Sequence, residues 1–420
     1  MQVFKFGGAS VKDAAAIKNL SEIVRNCQEA ELLIVVSAMG KTTNALEKLH
    51  AAYIDQTDEA QQIFAAIKLF HQQIMVEVFE PTHPVFDDVA NTFVEIDWIL
   101  EEEPQDDRDY IYDQLVSIGE LVSSRIVTAF LQQSSIKSSW LDARSYIQTD
   151  NTYREGLVDW EKTSAAIRQD IPELLQQNVL VTQGFLGGTS ENYTTTLGRE
   201  GSDYSAAIFA SCLNAASVTI WKDVAGVFNA DPKRFKDIVK FDQLSYAEAM
   251  EMAYYGASII HPKTIQPLQN AGIPLLVKPF LSPQENGTII NTEELPVTVP
   301  IIIVKHHQVL VSVSSKDHAF ITENHLSEIY KMLAALHIKV NLMQNSALSF
   351  TFCIDFDAFK FEALLQQLKP VFHYKYNTET TLITVRHYQL ALLQELSAGK
   401  TILLEQLSRN TAQLLIKAES

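Results

Sequence analysis

The sequence predicts an α/β protein, a three-layer sandwich with a mostly parallel sheet, followed by a C-terminal α+β region of ferredoxin-like modules. Three observations predict it. Short apolar runs alternate with helical patterns through the first two thirds of the chain. Several of these runs leave through glycines straight into a helix, as at Phe6-Gly7-Gly8 and Leu197-Gly198-Arg199-Glu200-Gly201. Beyond Pro279 to Pro300, a stretch rich in Pro, Asn, Gly and Glu, the glycine turns stop and a strand–helix–strand–strand–helix–strand order begins. That stretch holds the best boundary, dividing the 420 residues into domains at 1–290 and 300–420.

Composition narrows the function classes. An apolar fraction of 47% with 9% aromatics predicts a soluble globular protein. The net charge of −18 argues against nucleic acid or a membrane surface as partner, since both would repel it. No uninterrupted apolar run approaches the ~20 residues that span a bilayer, and the first residues lack the pattern of a signal peptide. Cys27, Cys212 and Cys353 are odd in number and scattered, which supports neither a disulfide framework nor a zinc site and predicts a reducing, cytoplasmic setting.

Val3 to Phe6 alternates as a short strand and ends at Lys5-Phe6-Gly7-Gly8. A lysine, two residues without side chains and a helix start together suit an anion. An ordinary strand-to-helix turn with a surface lysine accounts for the same residues equally well. Lys12 to Ala30 reads as a helix with Ile17, Leu20, Ile23 and Val24 on one face. Leu32 to Ser37 is a continuous apolar run of the kind found in central parallel strands. The Gly40-Lys41-Thr42 that follows is not a P-loop, because the glycine that motif needs five positions earlier is Val35. Thr43 is placed to cap the helix after it.

Residues 44–133 are helical in pattern, and the acidic stretch from Glu95 to Asp113 reads as a solvated face. Glu120, next to Gly119 on the helix that follows, reads on its own as another solvated glutamate. Ile136 to Leu141 and Ile147 to Thr149 are predicted strands, Thr163 to Gln176 a helix, and Val179 to Gly188 a strand leaving through glycines. Ser217 to Asp223 is a further buried strand, after which Asp231-Pro232 makes a turn. Ser245 caps a helix to Tyr255, His261-Pro262 opens the next, and Ile273 to Val277 is a strand. In the last domain Val309–Val313, Leu326–Leu336, Val340–Met343, Leu348–Ile354, Phe361–Leu368 and Thr381–Val385 give the βαββαβ order. Residues 386–420 supply pieces of a shortened second module, with Ala412 to Lys417 as its terminal strand.

Lys5-Phe6-Gly7-Gly8-Ala9-Ser10-Val11 and Thr196-Leu197-Gly198-Arg199-Glu200-Gly201-Ser202-Asp203 together resemble the aspartokinase family, whose patterns read KFGGTSV and TLGRGGSD. The resemblance continues through Ser37-Ala38-Met39, Gly119-Glu120, Gln183-Gly184-Phe185, Asp223 to Phe228 and Gly256 to Pro262, in the family's order. It implies the amino-acid kinase fold with C-terminal ACT modules. It also implies transfer of the ATP γ-phosphoryl to the side-chain carboxylate of aspartate, the first step toward lysine, threonine and methionine.

By the same resemblance, Lys5, Gly7 and Gly8 hold the transferring phosphate and Asp203 orients Lys5. Ser37, Thr43, Glu120 and Arg199 hold the amino acid, Glu120 at its amino group and Arg199 at its α-carboxylate. Lys222, Asp223, Phe228 and Lys233 line the nucleotide. Ser258 stands where the family has a lysine on the ATP phosphates, with Lys222 or Lys263 as the cation to compensate. Mg²⁺ is held mainly through ATP, with no dedicated protein ligands. Ala9 and Glu200 replace a threonine and a glycine of the family pattern, and Asn324-His325 departs from the family at the first ACT helix. An amino-acid effector and a homodimer or higher homo-oligomer are the implied partners. The alternatives are a kinase of another carboxylate, of glutamate or acetylglutamate type, and a non-catalytic amino-acid-binding regulator.

Overall fold

The computed structural model describes every residue except 28–30, 258–259, 318 and 419–420. The chain forms two compact units. The first comprises Met1–Val227, Lys240–Met250 and Ser258–Leu295, and the second Phe228–Val239, Glu251–Ala257 and Pro296–Ser420.

The chain opens with β1 (Gln2–Phe6), α1 (Ala14–Arg25) and β2 (Leu32–Val36). Four helices follow: α2 (Thr42–Ile54), α3 (Glu59–Val78), α4 (Val85–Glu101) and α5 (Arg108–Gln133). Then come β3 (Ser138–Leu141), α6 (Trp160–Gln177), β4 (Val179–Gln183), β5 (Leu186–Gly188), β6 (Thr194–Thr196), α7 (Gly201–Leu213) and β7 (Ser217–Lys222). The series continues through the two-residue strands β8 (Val227–Phe228) and β9 (Lys240–Phe241), then β10 (Gln243–Ser245) and α8 (Tyr246–Tyr254). It runs on to α9 (Pro262–Ala271), β11 (Leu275–Pro279) and β12 (Thr288–Asn291).

The main sheet of the first unit has eight strands in the order β10-β12-β11-β7-β1-β2-β4-β3, parallel except where β11 meets β12. β1 lies in its middle, with Lys5 opposite Val35 of β2 and Ile220 of β7. All five residues of β2 are buried, as a strand covered on both faces requires. On α1, Asp13 caps the helix by accepting from the Ala16 N–H at 2.8 Å, and Ile17, Leu20, Ile23 and Val24 are buried on one face. Each such side chain contributes roughly 1.5–3 kcal/mol of burial. His261 caps α9 by accepting from the Lys263 N–H, a structural role consistent with the sequence reading.

One expectation is corrected in this unit. Residues 147–149 form only isolated bridges, Gln148 to Gly188 and Thr149 to Val158, rather than a strand. The stretch Pro279 to Pro300 contains β12, a member of the main sheet. Among the described residues one helix, α5, is long and apolar enough by length and composition to cross a membrane, although scattered polar residues hide it as a run. Nearly all of it is buried inside the protein, which makes it a core helix.

The second unit is built on a six-stranded sheet. Its elements are β13 (Ile301–Ser315), α10 (Glu323–Ala335), β14 (Val340–Asn345), β15 (Phe350–Asp355), α11 (Ala358–Leu368) and β16 (Phe372–Arg386), then α12 (Leu390–Ser397), β17 (Lys400–Leu407) and β18 (Thr411–Ala418). The order β14-β15-β13-β16-β18-β17 contains the ferredoxin-like arrangement in its first four strands. β13 and β16 are each 15 residues long and pair antiparallel along their length across a bulge near Lys305 and Gln308. One half of this pair lies in a core with Ile329, Leu333, Leu364 and Leu368 of the two helices, and the other packs on α12 through Val385 and Leu393. The expected departure at Asn324-His325 has a local reason: His325 Nδ1 accepts from the Thr322 N–H at 3.2 Å, closing a capping box at the start of α10.

Candidate active site

The carboxyl ends of β1, β2, β4 and β7 lie side by side in the sheet, and the turns that leave them carry most of the residues singled out by sequence. Two close approaches hold these turns. A Cβ on Gly8 would come within 2.7 Å of the Gly40 carbonyl oxygen, and the Gly40 N–H donates to the Gly8 carbonyl at 3.0 Å. A Cβ on Gly184 would come within 2.5 Å of Ser202 Cβ, so glycine there lets the start of α7 rest on the end of β4.

That placement sets Asp203, on the first turn of α7, against Lys5. The Lys5 Nζ and Asp203 Oδ1 are 2.5 Å apart, with side-chain exposures of 10% and 4%. Lys222, at the end of β7, reaches the other oxygen of Asp203 at 3.7 Å. Burial opposes the Asp203 charge, but the two ammonium groups outweigh it and hold the carboxyl below its ordinary range. The cluster thus has two cations for one anion, at the carboxyl ends of the central strands.

Glu120 is buried, which corrects the expectation of a solvated side chain. The Ala38 N–H donates to its Oε1 at 3.3 Å, while Oε2 is buried without a hydrogen-bond partner. Burial pushes its carboxyl up to about 8, against the opposing pull of the Ala38 N–H and the Lys5 charge. An orphaned, desolvated carboxylate oxygen of this kind suits a cationic group of a ligand.

Ser37 is half-buried directly after β2, and its carbonyl accepts from Ser123 Oγ at 2.7 Å. Thr43 is half-buried but does not cap α2. The helix begins at Thr42, whose buried hydroxyl donates to the Met39 carbonyl at 2.7 Å, and the cap position is Lys41. Arg199 is exposed on the turn before α7, and Asp223 is exposed beside Lys222. Lys263 lines a different groove of the first unit, of about 340 Å³, with Trp160 and Tyr204. Phe228 and Lys233 belong to the second unit, where Phe228 is half-buried and Lys233 is exposed on the turn that its N–H makes to Asp231 Oδ1 at 2.9 Å. Ser258 lies outside the described residues.

Glu200 has left-handed backbone angles, φ 55° and ψ 27°, and one carboxylate oxygen buried without a partner. The family glycine at this place carries neither cost. Glu200→Gly is expected to stabilise the protein by about 1 kcal/mol, read as a rise in Tm of about 2 °C. An unchanged or lower Tm would show that the side chain makes a compensating contact.

The sequence reading missed Asp113. It is fully buried, though it ends the stretch read as a solvated acidic face. Its carboxylate accepts from Thr196 Oγ1 at 2.7 Å, from the Thr196 N–H at 2.9 Å and from the Arg154 N–H at 2.9 Å. Burial pushes it up to about 6, the three hydrogen bonds pulling the other way. The only sequence signal was its heptad spacing to Glu120.

Residues 1–279 match the model of the amino acid kinase family. The chain belongs to that family. Among its amino acid kinase relatives, the lysine-sensitive aspartokinase 3 of Escherichia coli (strain K12) is 29% identical over 354 residues, covering 84% of this chain and 78% of the relative. Aspartokinase 1, chloroplastic, of Arabidopsis thaliana is 30% identical over 381 residues, covering 87% of this chain and 65% of the relative. The crystal structure of E. coli aspartokinase III in complex with aspartate and ADP superposes with a TM-score of 0.88 at 26% identity, covering 99% of this chain and 96% of that one. Likeness to aspartokinases, first read from short motifs, therefore extends through the fold of this amino acid kinase.

Proposed function

We propose that this protein is an aspartate kinase, transferring the γ-phosphoryl of ATP to the side-chain carboxylate of L-aspartate to give 4-phospho-L-aspartate and ADP. The observation that carries the reading is the buried Lys5–Asp203 pair, joined by the half-buried Lys222, at the carboxyl ends of β1 and β7. The acceptor is a carboxylate, ionised at neutral pH, so the reaction needs no general base. What it needs is positioning, charge neutralisation and exclusion of water.

Lys5, one of two cations sharing Asp203, is the group to neutralise the transferring phosphoryl, with the Gly7 and Gly8 N–H groups as further donors. Asp203 holds Lys5 in place through their ion pair. Lys222, Asp223, Phe228, Lys233 and Ser258 are assigned to the nucleotide. Lys222 is favoured over Lys263 as the cation compensating for Ser258, since it sits on Asp203 whereas Lys263 faces another groove. Arg199 takes the α-carboxylate as a bidentate pair, Glu120 the ammonium, and Ser37 and Thr43 complete the amino-acid side. Mg²⁺ is carried on the ATP phosphates. Among the described residues no three His, Cys, Asp or Glu side chains cluster as metal ligands.

Residues 1–290 are the catalytic domain and residues 300–420 the regulatory and dimerising one, with a shortened second ACT module. E. coli aspartokinase III has been crystallised with lysine and aspartate, which supports an amino-acid effector for this chain too. A cytoplasmic homo-oligomer is the working assembly. ATP, Mg²⁺ and aspartate with hydroxylamine test the reading, the expected product being aspartyl hydroxamate. Hydroxamate from glutamate alone would favour another carboxylate kinase. Aspartate binding without turnover would make the protein a regulator.

A further inference from the structure

Helix α5 reaches the amino-acid side of the site twice. Glu120 meets it directly. Asp113 stands seven residues earlier, two turns and roughly 10 Å along the axis on nearly the same face. Asp113 makes no salt bridge among the described residues, so its partners are the three hydrogen-bond donors of Thr196 and Arg154. Thr196 ends β6, and Arg199 follows three residues later. The link between them is Leu197-Gly198, in which the Leu197 N–H donates to the Phe185 carbonyl at 2.8 Å and Gly198 has a left-handed backbone with φ of 77°.

The same carboxylate fastens the segment on the other side of that link. The Gly156 N–H donates to the Thr196 carbonyl at 2.8 Å, and a Cβ on Gly198 would lie 3.3 Å from the Arg154 carbonyl oxygen. Arg154 is itself pinned, its guanidinium 4.1 Å over the Tyr112 ring and 3.2 Å from Asp109, both on α5. Three segments distant in sequence therefore meet at one buried carboxylate.

We propose that Asp113 is a positioning residue for the amino-acid substrate, holding the turn that carries Arg199 at a fixed place relative to Glu120 on the same helix. One rigid helix then sets the spacing between the group that grips the α-carboxylate and the group that grips the α-ammonium. The proposal rests on the roles given to Arg199 and Glu120 above. It gives the buried Asp113 a role at the site, since small displacements of a binding group are enough to weaken productive binding.

The test measures the KM for aspartate and for ATP in the hydroxamate assay, with wild type and Arg199→Ala as references. Asp113→Ala removes the tether and is expected to raise the aspartate KM at least tenfold, with the ATP KM within twofold. Asp113→Asn is expected to stay within threefold of wild type, because its amide oxygen can accept both backbone N–H groups and its NH₂ can donate to Thr196 Oγ1. An unmoved aspartate KM in Asp113→Ala, an equal rise for both substrates, or an Asn variant as impaired as Ala each overturns the proposal. Should Asp113→Ala fail to fold, Thr196→Val carries the same split, with a three- to tenfold rise for aspartate alone expected and an unchanged aspartate KM overturning it. A wild type that forms no aspartyl hydroxamate would defeat the functional reading and the tether's role with it. An active wild type with an insensitive Asp113→Ala would defeat the tether alone.

Discussion

Lys5→Met is expected to lower kcat about a thousandfold and to lower Tm by several degrees. The two effects have one origin and can be separated. In the proposed reaction, charge on the transferring phosphoryl loses the cation assigned to it, and a single donor aimed at developing charge is typically worth 10²–10³ in rate, with more expected for a full ammonium. In the fold, Asp203 keeps only the 3.7 Å contact to Lys222, and breaking a buried ion pair from one side costs about 3–5 kcal/mol. Adding Asp203→Asn removes the stranded charge and should recover most of the Tm but none of the rate. Steady-state kinetics with thermal unfolding of both variants checks this. A Lys5→Met enzyme within tenfold of wild type would rule out Lys5 as the phosphoryl cation.

Glu120→Gln is expected to raise the aspartate KM about 10- to 100-fold, the range of a lost charge-assisted hydrogen bond, and to flatten its pH dependence. In the free protein the carboxyl lies near 8, so at pH 7 it is largely protonated, and gripping an ammonium requires it to ionise. Wild-type aspartate KM should therefore fall as pH rises from about 6.5 toward 8, where the glutamine variant stays level. Stability moves oppositely. The folded carboxyl is raised above its unfolded value, so the protonated form favours folding fully below about pH 4.5, and that advantage is lost as pH climbs to about 8. The ligand-free Glu120→Gln protein should then have a higher Tm than wild type at pH 8 and the same Tm near pH 4.5. A flat wild-type KM profile would remove Glu120 from the substrate's amino group.

What could be read from the chain alone follows the range of the interactions. Lys5, Gly7, Gly8 and Asp203 sit in short strand–turn–helix segments whose glycines announce themselves locally, and the parallel sheet follows from buried runs such as Leu32–Val36. Asp113 escaped notice, and Glu120 was singled out by the family resemblance alone, because nothing beside them in sequence marks them as buried. Asp113 is enclosed by Arg154, 41 positions on, and by Thr196, 83 positions on. β12 was hidden for a different reason: its four residues lie among turn formers, and pairing with β10 and β11 makes them a strand. The bulge near Lys305 likewise divided β13 into an unread half and a half that alternates cleanly.

The shared length of β13 and β16 has a consequence for how the C-terminal half is made. Residues 382–386 pair with Ile301–Lys305 on one side, and residues 381–386 pair with β18 on the other. A polypeptide emerging from the ribosome can thus complete the four-stranded βαββαβ portion by residue 386 while leaving Thr381–Arg386 as a bare hydrogen-bonding rim, with Ile383 and Val385 lacking their partners Leu393, Leu414 and Ile416. Until β18 is synthesised, that rim is open to any neighbouring nascent chain, so products stopped near residue 390 should aggregate where the longer chain does not.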